Sequence, residues 1–435
     1  MPKPSRAPFT EPARSPRYKW YVVGMLWWIA FFNYADRQAV FSVFPLLERQ
    51  MHLSTVELGL LGSSFAWVYG LCAPFAGGIV DRVRRKTAIL GGLQAWSLIC
   101  MATALSRNFR QLLWFRAAEG LGETFYFPAS MSLVSDYHDK RTRSRALGTH
   151  QTSVYIGTIA GGFFAGLIGQ VYGWRWSFVV FGGLGVLLGL VLSRVLVEPR
   201  RGAAEEARPA AEMPVREVLR LIWSTPTAVI LMAAFLCANF VAVVLLSWMP
   251  TFLYQRFHLS LAMAGLTATI YVQLASMVGS PLGGWLADIL RRRMPGGRMA
   301  VQAAGVLCGA PFVVLCGATQ SEGWLVVALT AWGLFKGLYD GNIFASMFDV
   351  IRPEARGTAA GFMNMVGWLG GGGTAPLVIG YIAGRQSLGL AISMAAVVYL
   401  AAGALLIAGI LAFARRDVAR MEAQLEGQSG VGHSA

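Results

Sequence analysis

Charge is scarce in this chain. Of 435 residues only 14% are Asp, Glu, Lys or Arg, while 55% are hydrophobic. Soluble domains carry roughly 25% charged residues, so a water-soluble globule is excluded. Histidine and cysteine are scarce too. The five His (His52, His138, His150, His258, His433) lie mostly at loops and span ends without metal-ligand spacing. No nucleophile motif or phosphate-binding loop stands out, which argues against an enzyme and against a bound cofactor. The five cysteines (Cys72, Cys100, Cys237, Cys308, Cys316) are odd in number and lie in apolar runs. They read as packing residues, with no disulfide framework and no metal site. A cleavable signal is also missing: the first 19 residues are basic and Pro-rich, and the apolar run behind them is too long for a signal core.

Long apolar runs are what the chain has in quantity. A helix needs about 20 apolar residues to cross a bilayer. Twelve such windows are read, near 20–44, 57–80, 87–106, 109–135, 144–170, 176–197, 227–253, 262–289, 299–319, 323–348, 357–383 and 388–413. The basic residues cluster at alternate connections, among them Arg82 to Lys86, Lys140 to Arg145, Arg194 to Arg220 and Arg291 to Arg298. That is the positive-inside pattern for an even number of spans with both termini cytoplasmic. The net charge of +15 therefore reads as topology, with attraction to anionic lipid as a side effect and no nucleic-acid partner. The expected organisation is a tail over 1–19, a six-helix bundle over 20–197, a linker over 198–226, a second bundle over 227–413 and a tail over 414–435. Within the linker, Glu217 to Trp223 has the pattern of a short amphipathic helix.

Against this apolar background a few ionisable residues stand out, because buried charge in a membrane marks a pathway or a site by default. The first span carries Asn33, Asp36 and Arg37. The fourth carries Arg116, Glu119 and Glu123, whose spacing of i, i+3 and i+7 puts them on one helical face. The tenth carries Lys336 and Asp340, four apart, which read equally as a self-neutralising pair and as a source of positive charge for a ligand. A carboxylate lacking a counter-charge in a dry cavity favours its protonated form. Asp36 and Glu123 are accordingly the expected proton-titrating groups, Glu119 stands nearer Arg116, and Arg37 and Arg116 supply positive charge.

A second pattern repeats. Gly77-Gly78-Ile79-Val80-Asp81-Arg82-Val83-Arg84-Arg85-Lys86 follows the second span, and Gly284-Trp285-Leu286-Ala287-Asp288 with a basic run follows the eighth. Recurrence at corresponding places makes the chain two related halves. Here it resembles the major facilitator superfamily, whose signature lies between helices 2 and 3. It departs from that signature at Arg84, where the pattern has Gly. The resemblance covers residues from about 20 to about 413 and implies a fold of two six-helix bundles around a central cavity. It also implies a cytoplasmic gate built from Gly77, Asp81, Arg82, Arg85, Lys86, Asp136, Arg145 and Asp288; the alternative for these is solvated loop charge.

Asp-Arg in the first span, and Arg then Glu with Phe-Pro in the fourth, resemble the anion:cation symporter family of hexuronate and galactonate carriers. That resemblance implies proton coupling through Asp36 and Glu123 with basic partners Arg37 and Arg116, and it matches Tyr155 and Asn364 to family positions. Gln151 and Trp368 depart from it, each standing where that family tends to have Asn. The Spinster-like transporters share Asn33-Tyr34-x-Asp36-Arg37 and Gly122-Glu123, which implies lysolipids or other amphipathic substrates instead. The combined expectation is a monomeric, proton-coupled carrier of a small organic anion in the plasma (inner) membrane, with the proton as its only coupling species. A lipid carrier and a transport-inactive receptor on the same fold are the alternatives.

Overall fold

The structure is a computed structural model that describes residues 17–80, 82–139, 141–199 and 213–431, with side chains to 424. Among the described residues every regular element is helical. The first half holds α1 (Tyr18–Ser42), α2 (Phe44–Met51), α3 (Thr55–Val80), α4 (Arg85–Thr103), α5 (Phe109–Glu123), α6 (Tyr126–Tyr137), α7 (Arg143–Tyr172) and α8 (Trp174–Val195). After α9 (Val215–Trp223), the amphipathic helix expected in the linker, come α10 (Pro226–Phe257), α11 (Leu261–Arg291), α12 (Gly297–Ala318), α13 (Glu322–Asp340) and α14 (Ile343–Phe348). The chain ends with α15 (Arg356–Val366), α16 (Ala375–Ala383), α17 (Leu388–Gly409) and α18 (Arg415–Val431). Among the described residues eight helices are long and apolar enough to cross a membrane. The other four expected windows fall on α1, on α4, on α5 with α6 and on α13 with α14, which are interrupted or carry ionisable residues.

Three expected spans are broken, and the sequence supplies the reason in two. Pro128 lacks the N–H that would bond the Thr124 carbonyl, so the fourth window splits at Thr124–Phe125, one residue past Glu123. Pro376 does the same to the eleventh. Ahead of it the glycine run Gly367–Gly372 winds as a π-helix, in which Gly373 N–H reaches back five residues to Trp368 O at 2.6 Å. The tenth turns at Gly341–Asn342. Much of the tail after 413 is helix. Arg415–Val431 is rich in good helix formers, and Asp417 accepts from Thr227 N–H (3.1 Å) and Oγ1 (2.7 Å) at the start of α10, fastening the two helices together.

Small residues set how closely the helices approach. α1 lies along α7, α3 against α5, and α4 against α5 and α8; in the second half α10 and α12 pack on α17, and α11 on α13. Between the halves α7 meets α11, and α3 meets α15 and α16. At Gly161 a Cβ would stand 2.6 Å from Ala35 Cα, and at Gly162 it would stand 3.1 Å from Gly265 C. The first contact seats α1 on α7 and fixes its rotation; the second lets the halves cross backbone to backbone.

Those cross-half contacts gather at one end. Thr55 Oγ1 donates to Gly380 O (2.8 Å) and Gln255 Nε2 to Glu48 (3.2 Å), the Phe44 and Trp248 rings meet edge-on at 5.4 Å, and Arg49 lies 5.2 Å from the Tyr254 ring. At the opposite, basic end Gly77 and Gly78 of α3, Gly148 of α7, Gly284 of α11, and Gly357 and Gly361 of α15 have open space where a Cβ would go. The molecule is closed at the far end and open at the basic end. Replacing Gly161 by Leu is expected to lower stability by about 1–3 kcal/mol or more through overpacking, whereas Gly183→Leu, which meets open space, is expected to leave it unchanged. Thermal unfolding of the two purified variants in detergent separates them.

Candidate functional site

Adjacent residues on a helix point about 100° apart, and this divides Asp36 from Arg37. Arg37 turns toward the space between the halves; Asp36 turns into the first bundle, against α4 and α5. Two neighbourhoods result, where one charged face was expected.

Arg37 and Glu123 make the first. Arg37 Nε donates to Glu123 Oε2, and both residues are buried. Four aromatic rings surround the guanidinium: Tyr69 at 4.7 Å, Tyr34 at 4.8 Å, Phe65 at 5.0 Å and Trp368 at 5.8 Å from Cζ. Distances below about 6 Å place a cation in the attractive field of each ring. Trp368 comes from the second half, carried on the π-helical turn, and meets Tyr69 edge-on at 5.4 Å. Arg37 Nη1 has no hydrogen-bond partner, so part of the planar fork that suits carboxylate is free.

The second neighbourhood lies behind it. Arg116 Nη1 donates to Glu119 Oε2 across one turn of α5. Arg116 is 1% exposed and Glu119 is wholly buried. Asp36, Glu119 and Cys100 bring ligand-type atoms within 4.8 Å of one another. The expectation that Arg116 touches substrate finds no support in this placement, because the residue is sealed in the bundle and its charge is already met by Glu119.

The remaining candidates line the opposite wall or the basic end. Lys336 Nζ donates to Asp340, and both side chains are partly exposed. Tyr155, from the first half, stands within electrostatic reach of that pair. Gln151 is exposed, and Asn364 on α15 is half-buried. Asn33 stands beside Glu123. Lys336 follows Glu123 at the same spacing, 213 residues, that separates Arg298 from Arg85 and Asp349 from Asp136. The second half thus carries a base where the first carries an acid.

At the basic end the expected gate residues separate. Arg85 pairs with Asp136. Arg145 stacks on Trp20 at 5.5 Å, so it does not join them. Lys86 Nζ donates to Ser193 O, while Glu198 accepts from the Arg85 and Lys86 N–H groups and so caps α4. Arg82 is exposed, Gly77 faces open space, and Asp81 lies outside the described residues. In the second half Asp288 pairs with Arg298 at 3.2 Å, and Asp349 with Arg298 at 2.7 Å and Arg291 at 3.2 Å.

A scan against protein-family models matches the model described as Major Facilitator Superfamily over residues 26–375 and 255–432. The chain belongs to the Major Facilitator Superfamily. As a member of that transporter superfamily it is an integral membrane protein. It is 26% identical over 379 residues to protein spinster of Drosophila melanogaster, a match that takes in 84% of this chain and 62% of that longer protein. It is also 26% identical over 418 residues to the D-galactonate transporter of Escherichia coli, covering 91% of this chain and 95% of that one. A crystal structure of a bacterial homolog of the human lysosomal transporter spinster, inward-facing and unoccupied, superposes with a TM-score of 0.81 at 22% identity over 94% of this chain and 99% of that chain. That likeness carries the fold.

Sequence reading missed the aromatic ring set and Cys100. Phe65 and Tyr69 are four apart on α3, a spacing that any packed helix shows. The two ion pairs differ in what they hold up. Glu119→Leu removes a charge-assisted hydrogen bond to Arg116 inside the bundle and is expected to destabilise the protein by about 1.5–3 kcal/mol. Lys336→Met, at a pair that water reaches, is expected to cost about 1 kcal/mol or less. Parallel thermal unfolding of the two variants checks the ordering.

Proposed function

We propose that this chain moves a small organic anion, such as a sugar acid or another carboxylate, across a membrane by alternating access with protons as the coupling species. The observation that supports this most is Arg37: a buried guanidinium at the meeting of the two halves, held by Nε to Glu123, with Nη1 left unpartnered. A carboxylate arriving from the open end completes the fork and competes with Glu123. Displaced from its cation in a poorly solvated site, Glu123 favours its protonated form, so substrate and proton are linked through one arginine. Lys336 adds positive charge from the opposite wall. Tyr155, Gln151, Asn364 and Asn33 offer neutral hydrogen bonds, and Asp340 holds Lys336 in place.

Closing requires the halves to rock about the far-end contacts until the basic end meets, where the Arg85–Asp136 pair and the Asp288–Arg298–Asp349 network form part of the latch. By the positive-inside pattern the basic end is cytoplasmic, with both termini on that side and the protein a monomer in the plasma (inner) membrane. The ring set of Tyr34, Phe65, Tyr69 and Trp368 supports a second reading, in which an amphipathic anion such as a lysolipid places its headgroup on Arg37 and its chain along the rings.

A thermal-shift screen of D-galactonate, dicarboxylates and lysolipids separates the readings, since a ligand at 100 times its Kd stabilises by about 2.7 kcal/mol. Stabilisation by a sugar acid that Arg37→Gln abolishes is expected; stabilisation by lysolipid alone selects the second reading. Glu123→Gln is expected to lose proton-driven accumulation in vesicles while retaining counterflow exchange. Accumulation at the unsubstituted rate removes Glu123 from coupling.

A further inference from the structure

Five ionisable side chains are buried where α1 meets α5: Asp36, Arg37, Arg116, Glu119 and Glu123. Three are acids and two are bases. Each guanidinium holds one carboxylate, Arg37 holding Glu123 and Arg116 holding Glu119. Asp36, 3% exposed, forms no ion pair among the described residues. An uncompensated carboxylate in such a place is costly, and uptake of one proton removes the excess charge.

The unpartnered atoms locate that proton. Asp36 Oδ1 and Glu119 Oε1 are both buried with no hydrogen-bond partner, and the two carboxyl groups approach within 4.8 Å beside Cys100 Sγ. One proton on this pair supplies a donor to a cluster whose buried acceptors otherwise lack one. Glu123 Oε1 is also unpartnered, but the unpartnered Asn33 Nδ2 stands beside it, so a small turn of Asn33 supplies its donor. A divalent cation at the trio is disfavoured by the Arg116 guanidinium already on Glu119. Among the described residues the other packed elements bring no further carboxylate, amine or guanidinium: α7 lays Gly157 and Gly161 on this stretch of α1, α8 offers the Phe178 carbonyl to Cys100 at 3.6 Å, and α3 lays Phe65 over Arg116 and the Tyr69 phenol beside Arg37.

We infer that in the substrate-free protein one proton is shared between Asp36 and Glu119, behind the cavity, and that Glu123 is ionised on Arg37. This deepens the proton-coupled reading above and rests on it for its role in transport: the shared proton is the store from which Glu123 is protonated when an anion takes Arg37, and a second proton taken up from water restores it to Asp36 and Glu119, so that one proton enters with each anionic charge. Glu119 becomes a working member of the site as well as the counter-ion of Arg116.

Infrared pH titration of the full chain in liposomes tests this without any substrate, by the C=O stretch of protonated carboxyl groups. The expected result is a band lost in Asp36→Asn and in Glu119→Gln alike, since either neutralisation leaves one acid for Arg116, and kept in Glu123→Gln. Persistence of the band in either of the first two variants, or its loss in Glu123→Gln alone, overturns the assignment. Glu119→Asp guards against misfolding: it keeps the carboxyl but changes its reach, so the band is expected to shift, and an unshifted band overturns the assignment too. The two readings fail separately. A band with no proton-driven uptake of D-galactonate or lysolipid sinks only the coupling, and coupled uptake with no band sinks only the shared proton.

Discussion

Charge balance in a medium that does not solvate charge is the constraint on which the first half depends. Three carboxylates and two guanidiniums share the contact of α1 with α5, all of them buried. Each arginine must find an acid, each acid an arginine or a proton, and no group can leave its partner without another taking its place. That exclusivity makes Arg37 useful. It is held on one edge by Glu123 and on its faces by rings, an arrangement stable enough to persist and incomplete enough to accept an anion.

Glycine makes the balance geometrically possible. Gly157 and Gly161 bring α7 onto the backbone of α1, which fixes the rotation that sends Asp36 one way and Arg37 the other. Gly162 and Gly265 let the halves touch along their backbones, with only the small Thr269 and Ser42 side chains beside them. Rocking of the halves is cheap there and expensive inside the first bundle, where ion pairs and buried tryptophans such as Trp96 and Trp174 resist repacking. A pivot between rigid units follows from where the side chains are absent.

Much of the fold was legible in the sequence because membrane spanning is a demand on composition and length, and both are visible in the chain. The repeated Gly-x-x-x-Asp strings revealed the two related halves for the same reason: the constraint is local. The breaks at Thr124–Phe125 and ahead of Pro376 were written in Pro128 and Pro376 but hidden inside apolar windows. The candidate site was half legible. Arg116, Glu119 and Glu123 could be read as buried ionisable residues of one helix, but their division between two neighbourhoods could not. Which acid met which arginine was not readable, because it depends on the rotation of α1 against α5, set by glycine contacts on a different helix. The rings around Arg37 were invisible for a related cause: Phe65, Tyr69 and Trp368 look like packing until a cation is placed among them.

The π-helical turn at Gly367–Gly372 has a mechanical implication. A π-turn stores one residue more than the α-helix around it. Rewinding it to regular α geometry would rotate one flank against the other by about 100°, and Trp368 lies within it. The ring that faces Arg37 at 5.8 Å thus rides on an irregular turn of the opposite half, and any change in that winding would swing it across the guanidinium.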